Sequence, residues 1–424
     1  MPFGLILYRI VTWLITPFLG VLFRRRAKAG KEAPERIPER FGYSFEPAPT
    51  APVIWFHAAS VGESKLQLAL ARRLSNAVRA EFLFTCQTMT AATIIATAIS
   101  DDALLTQRRA RQVMAPVDTL RAVNTFLDYW QPQLAIFAEG EIWPNLLLEL
   151  ERRSINAALI NARMTEKSIL GWMRWEKSAR RVFASFDLII AADLQTQTAL
   201  SAISGQAVSS PGNLKSALPP PSVDDAELRA LETKIGDRTV LLAASTHAGE
   251  EALILDAFMS MAQRPLLILA PRHPERGDEV AKLLALTNFA CARRSDGDPI
   301  TAQTDILLAD TMGEMGLWYR LADTVYLGGG HSPGVGGHNP LEALQLGKPV
   351  ITGPSVFNFK DLVERLALHQ GFEIVEDTAA IVGAFPSPPV SEALQQMIAE
   401  DAIGPMTATL DALKPLLPAR ERSS

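Results

Sequence analysis

The chain has 424 residues, 48% of them apolar and 21% charged, which is too long for one ordinary core and too apolar for long disorder. Its formal net charge of −5 excludes a strongly basic nucleic-acid binder, so no nucleic acid is expected as a partner. The two cysteines, Cys86 and Cys291, lie far apart, which excludes a disulfide framework or a zinc site and fits a reduced compartment.

The first segment, Phe3 to Phe23, is apolar with one charge, Arg9, and runs straight into "RRRAK". As a helix it extends about 31 Å, close to the hydrocarbon thickness of a bilayer. No basic residues precede the run and arginines follow it, so a cleaved signal peptide fits poorly. Basic residues after a span would keep the rest of the chain on the cytoplasmic side. Arg9 and Pro17 leave a tilted or interfacial helix open, and a buried soluble helix is the third reading. The expected domains are an anchor over 1–24, a first domain over 25–215 and a second over 216–424.

After the connector Arg24 to Arg40, strand-type runs alternate with helical ones. The first set reads "VIWFH", "EFLFT", "QVMA", "QLAIFA", "INAALI" and "FDLIIAA". A break follows at "SSPGNLKSALPPPSVDD". The second set reads "TVLLAAS", "PLLILAP", "NFACAR", "DILLAD", "DTVYLGG", "KPVITG" and "FEIVE". This alternation predicts an α/β fold of two doubly wound domains facing a cleft, with helices from Ser387 onward packing back across them.

Chemistry-bearing residues gather where strands hand over to helices, the edge at which open α/β sheets bind ligands. In "WFHAASVGES", Ser60 and Glu63 form the S-x-x-E pattern of a capping box, and Glu63 is equally placed to act as a general base. "AEGEIWPN" puts Glu139 and Glu141 after another strand, "NARMTEKS" offers Arg163 and "PGNLKS" offers Lys215. Acidic and basic groups at consecutive strand ends are hard to explain by packing, which favours the base reading for Glu63. Ser60, Gly62, Glu141 and Arg163 are further candidates at this edge.

In the second half, Ser245, Thr246 and His247 leave one strand, and Pro271, Arg272 and His273 leave the next. "DTMGEMG" offers Met312, Gly313 and Glu314. The segment "YLGGGHSPGVGGHNPLEALQLG" ends a strand in glycines and opens a helix, with Asn339 as N-cap, Pro340 at the first helical position, and Leu341 and Glu342 following. Glycines such as Gly337 let backbone approach a ligand, and a helix start favours an anion, so a phosphate site competes here with an ordinary glycine-rich turn. "GHSPG" satisfies G-x-S-x-G around Ser332, but the next residue, Pro333, has no N–H for an oxyanion hole. Asp296 to Asp298 read as a turn, and no metal or other cofactor is required.

Taken in order, "FHAASVGES", "AEGEIWPNLL", "INARMTEKS", "PGNLKS", "AASTHAGEE", "PRHPER", "DTMGEMG" and "GGHNPLEA" resemble the 3-deoxy-D-manno-octulosonic acid (Kdo) transferases of lipopolysaccharide synthesis, over nearly the whole chain. The resemblance implies a GT-B fold with an acceptor-binding first domain and a CMP-Kdo-binding second one. It implies Kdo transfer to the lipid A precursor at the cytoplasmic face of the bacterial inner membrane, where the N-terminal helix would meet membrane lipids, and direct displacement with one base predicts inversion at the sugar carbon. By position, it makes Glu63 the proton acceptor and gives Glu139 and Lys215 transition-state stabilisation. It gives CMP binding to Pro271 and Arg272, to Met312 through Glu314, and to Asn339 through Glu342. Ser245, Thr246, His273 and Gly337 complete the donor-side candidates, and Ser60, Gly62, Glu141 and Arg163 are the candidates for the acceptor side. The rival readings are another GT-B nucleotide-sugar transferase or an epimerase, and a membrane-tethered nucleotide-sugar binder without turnover.

Overall fold

The strand-type runs carry little alternation between apolar and polar residues, as expected of strands covered on both faces by the helices of parallel crossovers. In the computed structural model, which describes residues 1–418, all thirteen fall in two parallel sheets. The chain divides into two units. One comprises Met1–Leu218 with the residues from Asp401 on, and the other is Pro219–Glu400.

In the first unit the strands are β1 (Val53–Ala58), β2 (Glu81–Cys86), β3 (Arg111–Met114), β4 (Pro132–Ala138), β5 (Asn156–Ala162) and β6 (Leu188–Ala191), in the order β3-β2-β1-β4-β5-β6. From β1 the chain winds one way to β2, and from β4 it winds the other way to β5. The neighbours β1 and β4, in register from Ile54 opposite Leu134 to His57 opposite Phe137, are therefore the switch point of this sheet. One face buries Trp55, Phe126 and Phe137, and the other buries Ile54, Phe56, Phe82 and Phe84. Helix α2 (Val61–Ser75) follows β1 and buries Leu66, Leu70 and Leu74 on one stripe, as their spacing predicts. Gln67 in the same stripe donates from Nε2 to the carbonyls of His57 and Ile136, at 3.1 and 3.0 Å, and so fastens α2 across β1 and β4.

Helix α1 (Phe3–Lys28) is docked on the first unit by one face. Tyr8 Oη donates to Asp118 Oδ2 at 2.8 Å, Asn145 Nδ2 donates to Thr12 Oγ1 at 3.2 Å, and Phe23 packs edge-on to Phe41 with centroids 6.0 Å apart. The reading of α1 as a buried soluble helix does not hold, because most of its apolar side chains are exposed.

In the second unit β7 (Val240–Thr246), β8 (Leu266–Pro271), β9 (Cys291–Arg293), β10 (Ile306–Leu308), β11 (Thr324–Leu327), β12 (Val350–Thr352) and β13 (Phe372–Ile374) take the order β13-β12-β11-β7-β8-β10-β9. The direction of winding reverses between β7 and β11, which makes that pair the switch point here.

Two expectations need correction. The sequence assigns 216–424 to the second domain, but the division falls after Leu218, and from Asp401 the chain groups with the first unit. Leu413 and Met406 are buried in the first unit's core, and Ser216 Oγ donates to the Asp401 carbonyl at 2.6 Å. The helix expected from Pro340 is also short, Leu341–Leu344, because Gly347 enters the left-handed region at φ 71 and turns the chain back.

Candidate active site

The first unit supplies an acidic site at the C-terminal ends of β1 and β4. Ser60 caps α2: its Oγ accepts from Glu63 N at 3.3 Å and donates to Glu63 Oε1 at 2.7 Å. Glu63 Oε2 accepts from Ala59 N at 2.8 Å. The capping contact expected from S-x-x-E is therefore formed, with Glu63 turned back over the helix start and 7% exposed. Burial pushes the Glu63 carboxyl above its ordinary range. The bonds from Ala59 and Ser60 oppose that rise, and the nearby charges of Glu139 and Glu141 add to it.

Glu139 leaves β4 in the left-handed region at φ 56, an uncommon conformation for a glutamate. Its Oε1 accepts from Lys215 Nζ at 2.5 Å and from Asn161 Nδ2 at 3.4 Å. Asn161 Oδ1 in turn accepts from Leu214 N at 2.7 Å, and Asn213 Oδ1 accepts from Lys215 N at 2.9 Å, so a side chain of β5 and one of the turn itself hold the Lys215 turn against β5. A Cβ on Gly62 would lie 3.6 Å from Lys215 Nζ, which brings the ammonium to the start of α2. Lys215 is thus near both Glu139 and the Glu63 turn.

Glu141 belongs to a buried chain of hydrogen bonds that motif reading missed. Trp55 Nε1 donates to Thr85 Oγ1 at 2.8 Å, Thr85 Oγ1 pairs with His57 Nδ1 at 2.8 Å, and His57 Nε2 pairs with Glu141 Oε2 at 3.0 Å. Trp143 Nε1 also donates to Glu141 Oε2, at 2.9 Å. With the Thr85 hydroxyl donating to Nδ1, the tautomer with its proton on Nε2 donates to the Glu141 carboxylate, and every member of the chain is satisfied. Although burial raises the Glu141 carboxyl, His57 and Trp143 bring it below its ordinary range. The signal in the sequence was an imidazole in the middle of an apolar strand, since a buried ring needs partners for its nitrogens. Arg163 follows β5 half-buried.

In the second unit the glycine run is organised by a buried carboxylate. Glu250 accepts from the backbone N–H of Gly329, His331 and His247 at 2.8 to 2.9 Å. A Cβ on Gly328 would stand 2.5 Å from the Ser245 carbonyl oxygen, so only glycine permits this approach of the β11 and β7 ends. Ser245 sits in the left-handed region at φ 56. Thr246 is fully buried, its Oγ1 donating to Glu251 Oε1 at 2.9 Å, which makes its side chain a strut and not a ligand contact. Glu251 also binds Arg276, at 2.7 Å.

Near these strand ends His247 and His338 stack with ring centroids 5.1 Å apart, and His273 stands edge-on to His247 at 5.9 Å. Burial holds His338 down to about 4, with the other histidines and Arg272 adding to the effect, and it lowers His247 as well. Backbone N of Arg272 donates to the Thr246 carbonyl at 2.9 Å. Pro271, Pro340 and Leu341 are buried, so they would meet a ligand through backbone if at all. Asn339 Oδ1 accepts from Leu341 N at 3.2 Å, the expected capping contact, with the helix beginning one residue later than expected. Glu342 lies on its first turn, and Gly337 adopts φ 80.

Gly313 and Glu314 line an open pocket of about 380 Å³ with Ser222, Val223, Asp224, Glu227 and Leu317. Glu314 accepts from Arg294 at 2.6 Å and from Thr311, and these bonds outweigh burial to hold its carboxyl below the ordinary range. Met312 is exposed. Asp298 Oδ2 accepts from Arg293 N at 2.9 Å, with Gly297 at φ 75, as a turn requires.

Comparison with known proteins speaks to the family and the fold. Residues 35–218 match the family model "3-Deoxy-D-manno-octulosonic-acid transferase (kdotransferase)". The chain is 34% identical to the 3-deoxy-D-manno-octulosonic acid transferase of Bordetella pertussis over 80% of both chains. It is 32% identical to the one of Haemophilus influenzae over 86% of this chain and 85% of that one. A glycosyltransferase structure from Rickettsia africae, only 10% identical, superposes over 87% of this chain and 99% of its own with a TM-score of 0.58, which speaks for the fold alone. With such identity sustained across four fifths of two relatives, the chain belongs to the 3-deoxy-D-manno-octulosonic acid transferases, a family of glycosyltransferases.

Proposed function

We propose that the chain transfers Kdo from CMP-Kdo to a hydroxyl of the lipid A precursor, with Glu63 as general base and inversion at the anomeric carbon. The observation that carries this reading is a buried carboxylate, Glu63, at the switch point of the first sheet, with its pKa raised and an ammonium near the same turn. A raised pKa makes the ionised Glu63 carboxylate a better proton acceptor.

In the proposed step the acceptor oxygen attacks the anomeric carbon as the bond from that carbon to the CMP phosphate oxygen breaks. The hydroxyl proton passes to Glu63, and CMP leaves with the bonding electron pair. A single displacement with one base inverts the centre. CMP is already a good leaving group, so the protein's share is positioning and charge stabilisation. Lys215, held by Glu139 and by the Asn213 and Asn161 contacts, is the cation assigned to the developing negative charge or to the sugar carboxylate. Donor binding is assigned to the second unit, at the β7 and β11 ends and the pocket holding Gly313 and Glu314. Arg272 and the backbone of the glycine run are the groups suited to a nucleotide phosphate. The apolar α1 and the arginines after it support association with the cytoplasmic face of the inner membrane, where a lipid acceptor would be found.

The contact of Ser60 with Glu63 favours a second reading, in which Glu63 only caps α2. Glu63→Gln separates the two, because glutamine can still bond to Ser60 and Ala59 but cannot take a proton as a base. Kdo transfer from CMP-Kdo to tetraacylated lipid A precursor is expected to fall at least ~100-fold with thermal unfolding unchanged, in the range general base catalysis supplies. Transfer retained, or lost in step with unfolding, would leave Glu63 as a cap.

A further inference from the structure

We infer that α1 lies in the plane of the membrane, with its outer face in the lipid and its inner face on the first unit, and does not cross the bilayer. This rests on the membrane reading above and refines it. The inner stripe runs nearly the whole length of the helix: Leu5, Tyr8, Arg9, Thr12, Thr16 and Phe23 recur at helical spacing and are among the positions turned from solvent. It is polar in the middle. Tyr8 donates to Asp118, Thr12 accepts from Asn145, and Arg9 stands 3.8 Å from Glu149. These partners are themselves buried, and Asp118 also accepts from the N–H groups of Asn145 and Leu146, which begin the helix Pro144–Arg152.

A spanning α1 would have to leave these partners or carry them to hydrocarbon depth. Leaving strands the buried Asp118 and Asn145 groups, and carrying them puts polar loops in lipid, which only closed hydrogen-bonded elements tolerate. The outward face has neither problem. Phe3, Ile10, Trp13, Leu14, Phe18 and Leu22 are exposed, with Phe3, Trp13 and Phe18 at 70% or more. Arg24, Arg25 and Lys28 stand exposed at the end of the helix. An apolar face closed by cations suits a bilayer bearing anionic headgroups, and a second copy would bring like charges together. The same fastening joins the lipid-facing helix to the start of Pro144–Arg152, which directly follows the loop of Glu139, Glu141 and Trp143.

The test uses the full chain with a cleavable hydrophilic tag joined to Met1, in sealed inside-out vesicles of a bacterial inner membrane. Exposed Cys291 reports the face on which the body lies, through a membrane-impermeant maleimide, while Cys86 is buried. An in-plane α1 predicts that added protease removes the tag from the same face on which Cys291 is labelled. A tag protected until detergent is added, with Cys291 still labelled, would mean that α1 spans and would overturn the inference alone. Recovery of the chain in the soluble fraction would overturn the membrane reading with it.

Discussion

Lys215 Nζ lies 2.5 Å from Glu139 Oε1, an ion pair between a left-handed residue at the end of β4 and the turn at the end of the first unit's main run. The two side chains are 28% and 19% exposed, so the pair adds little to stability, on the order of 1 kcal/mol or less. Its value would lie in holding a cation beside Glu63. Lys215→Met is therefore expected to lower Kdo transfer by roughly 10²–10³, the range for removing one charge-stabilising donor, with the unfolding midpoint nearly unchanged. Steady-state transfer and thermal unfolding on the same preparation check this.

The pH dependence of transfer should report the two glutamates. Glu63 has its carboxyl raised, so the acid limb of the rate profile is expected above the ordinary glutamate value of 4.5. The Glu141 charge disfavours ionisation of Glu63, and removing it should lower the Glu63 pKa. Glu141→Gln can still accept from His57 and Trp143, and the limb is expected to move to lower pH. A limb that stays in place would mean that Glu63 is not the titrating base.

Protonation of the stacked histidines should cost stability on acidification. The folded pKa of His338 is depressed from 6.5 to about 4, so the unfolded chain binds the extra proton first. The contribution is fully present above 6.5 and is lost as pH falls toward 4. Unfolding midpoints measured between pH 7 and about 5, before most carboxylates titrate, are expected to fall for the wild type and to fall less for His338→Asn.

Asp118 joins α1 to the start of the helix Pro144–Arg152 through three hydrogen bonds, from Tyr8, Asn145 and Leu146. Asp118→Ala leaves those donors buried without an acceptor, and a loss of about 2–4 kcal/mol is expected from the cap and the stranded groups together. Urea unfolding in detergent measures it, as a lower midpoint at an unchanged slope.

Gly328→Ala tests the contact of the β7 and β11 ends. The added methyl would meet the Ser245 carbonyl oxygen at 2.5 Å and Glu250 Oε2 at 2.8 Å, with backbone on one side and a fully engaged carboxylate on the other. A destabilisation of at least about 2 kcal/mol is expected, together with loss of CMP binding by calorimetry.

By itself the sequence determined all thirteen strands, because doubly covered strands must be apolar runs of limited length and the breaks between them are rich in glycine, proline and polar residues. It also determined which residues stand at strand ends, since that follows from chain order alone, and the capping contact of Ser60 with Glu63, which closes within one helical turn. Only the tertiary structure decided that Glu63, Glu139 and Lys215 meet, because β1 and β4 become neighbours through a crossover that no local pattern encodes. The chain from Trp55 through Thr85 and His57 to Glu141 joins three strand regions, and Trp55, Thr85 and His57 each alone read as core. The same holds for α1: its length and apolarity are local properties, whereas the face it turns inward was fixed by where Asp118, Asn145 and Glu149 await partners.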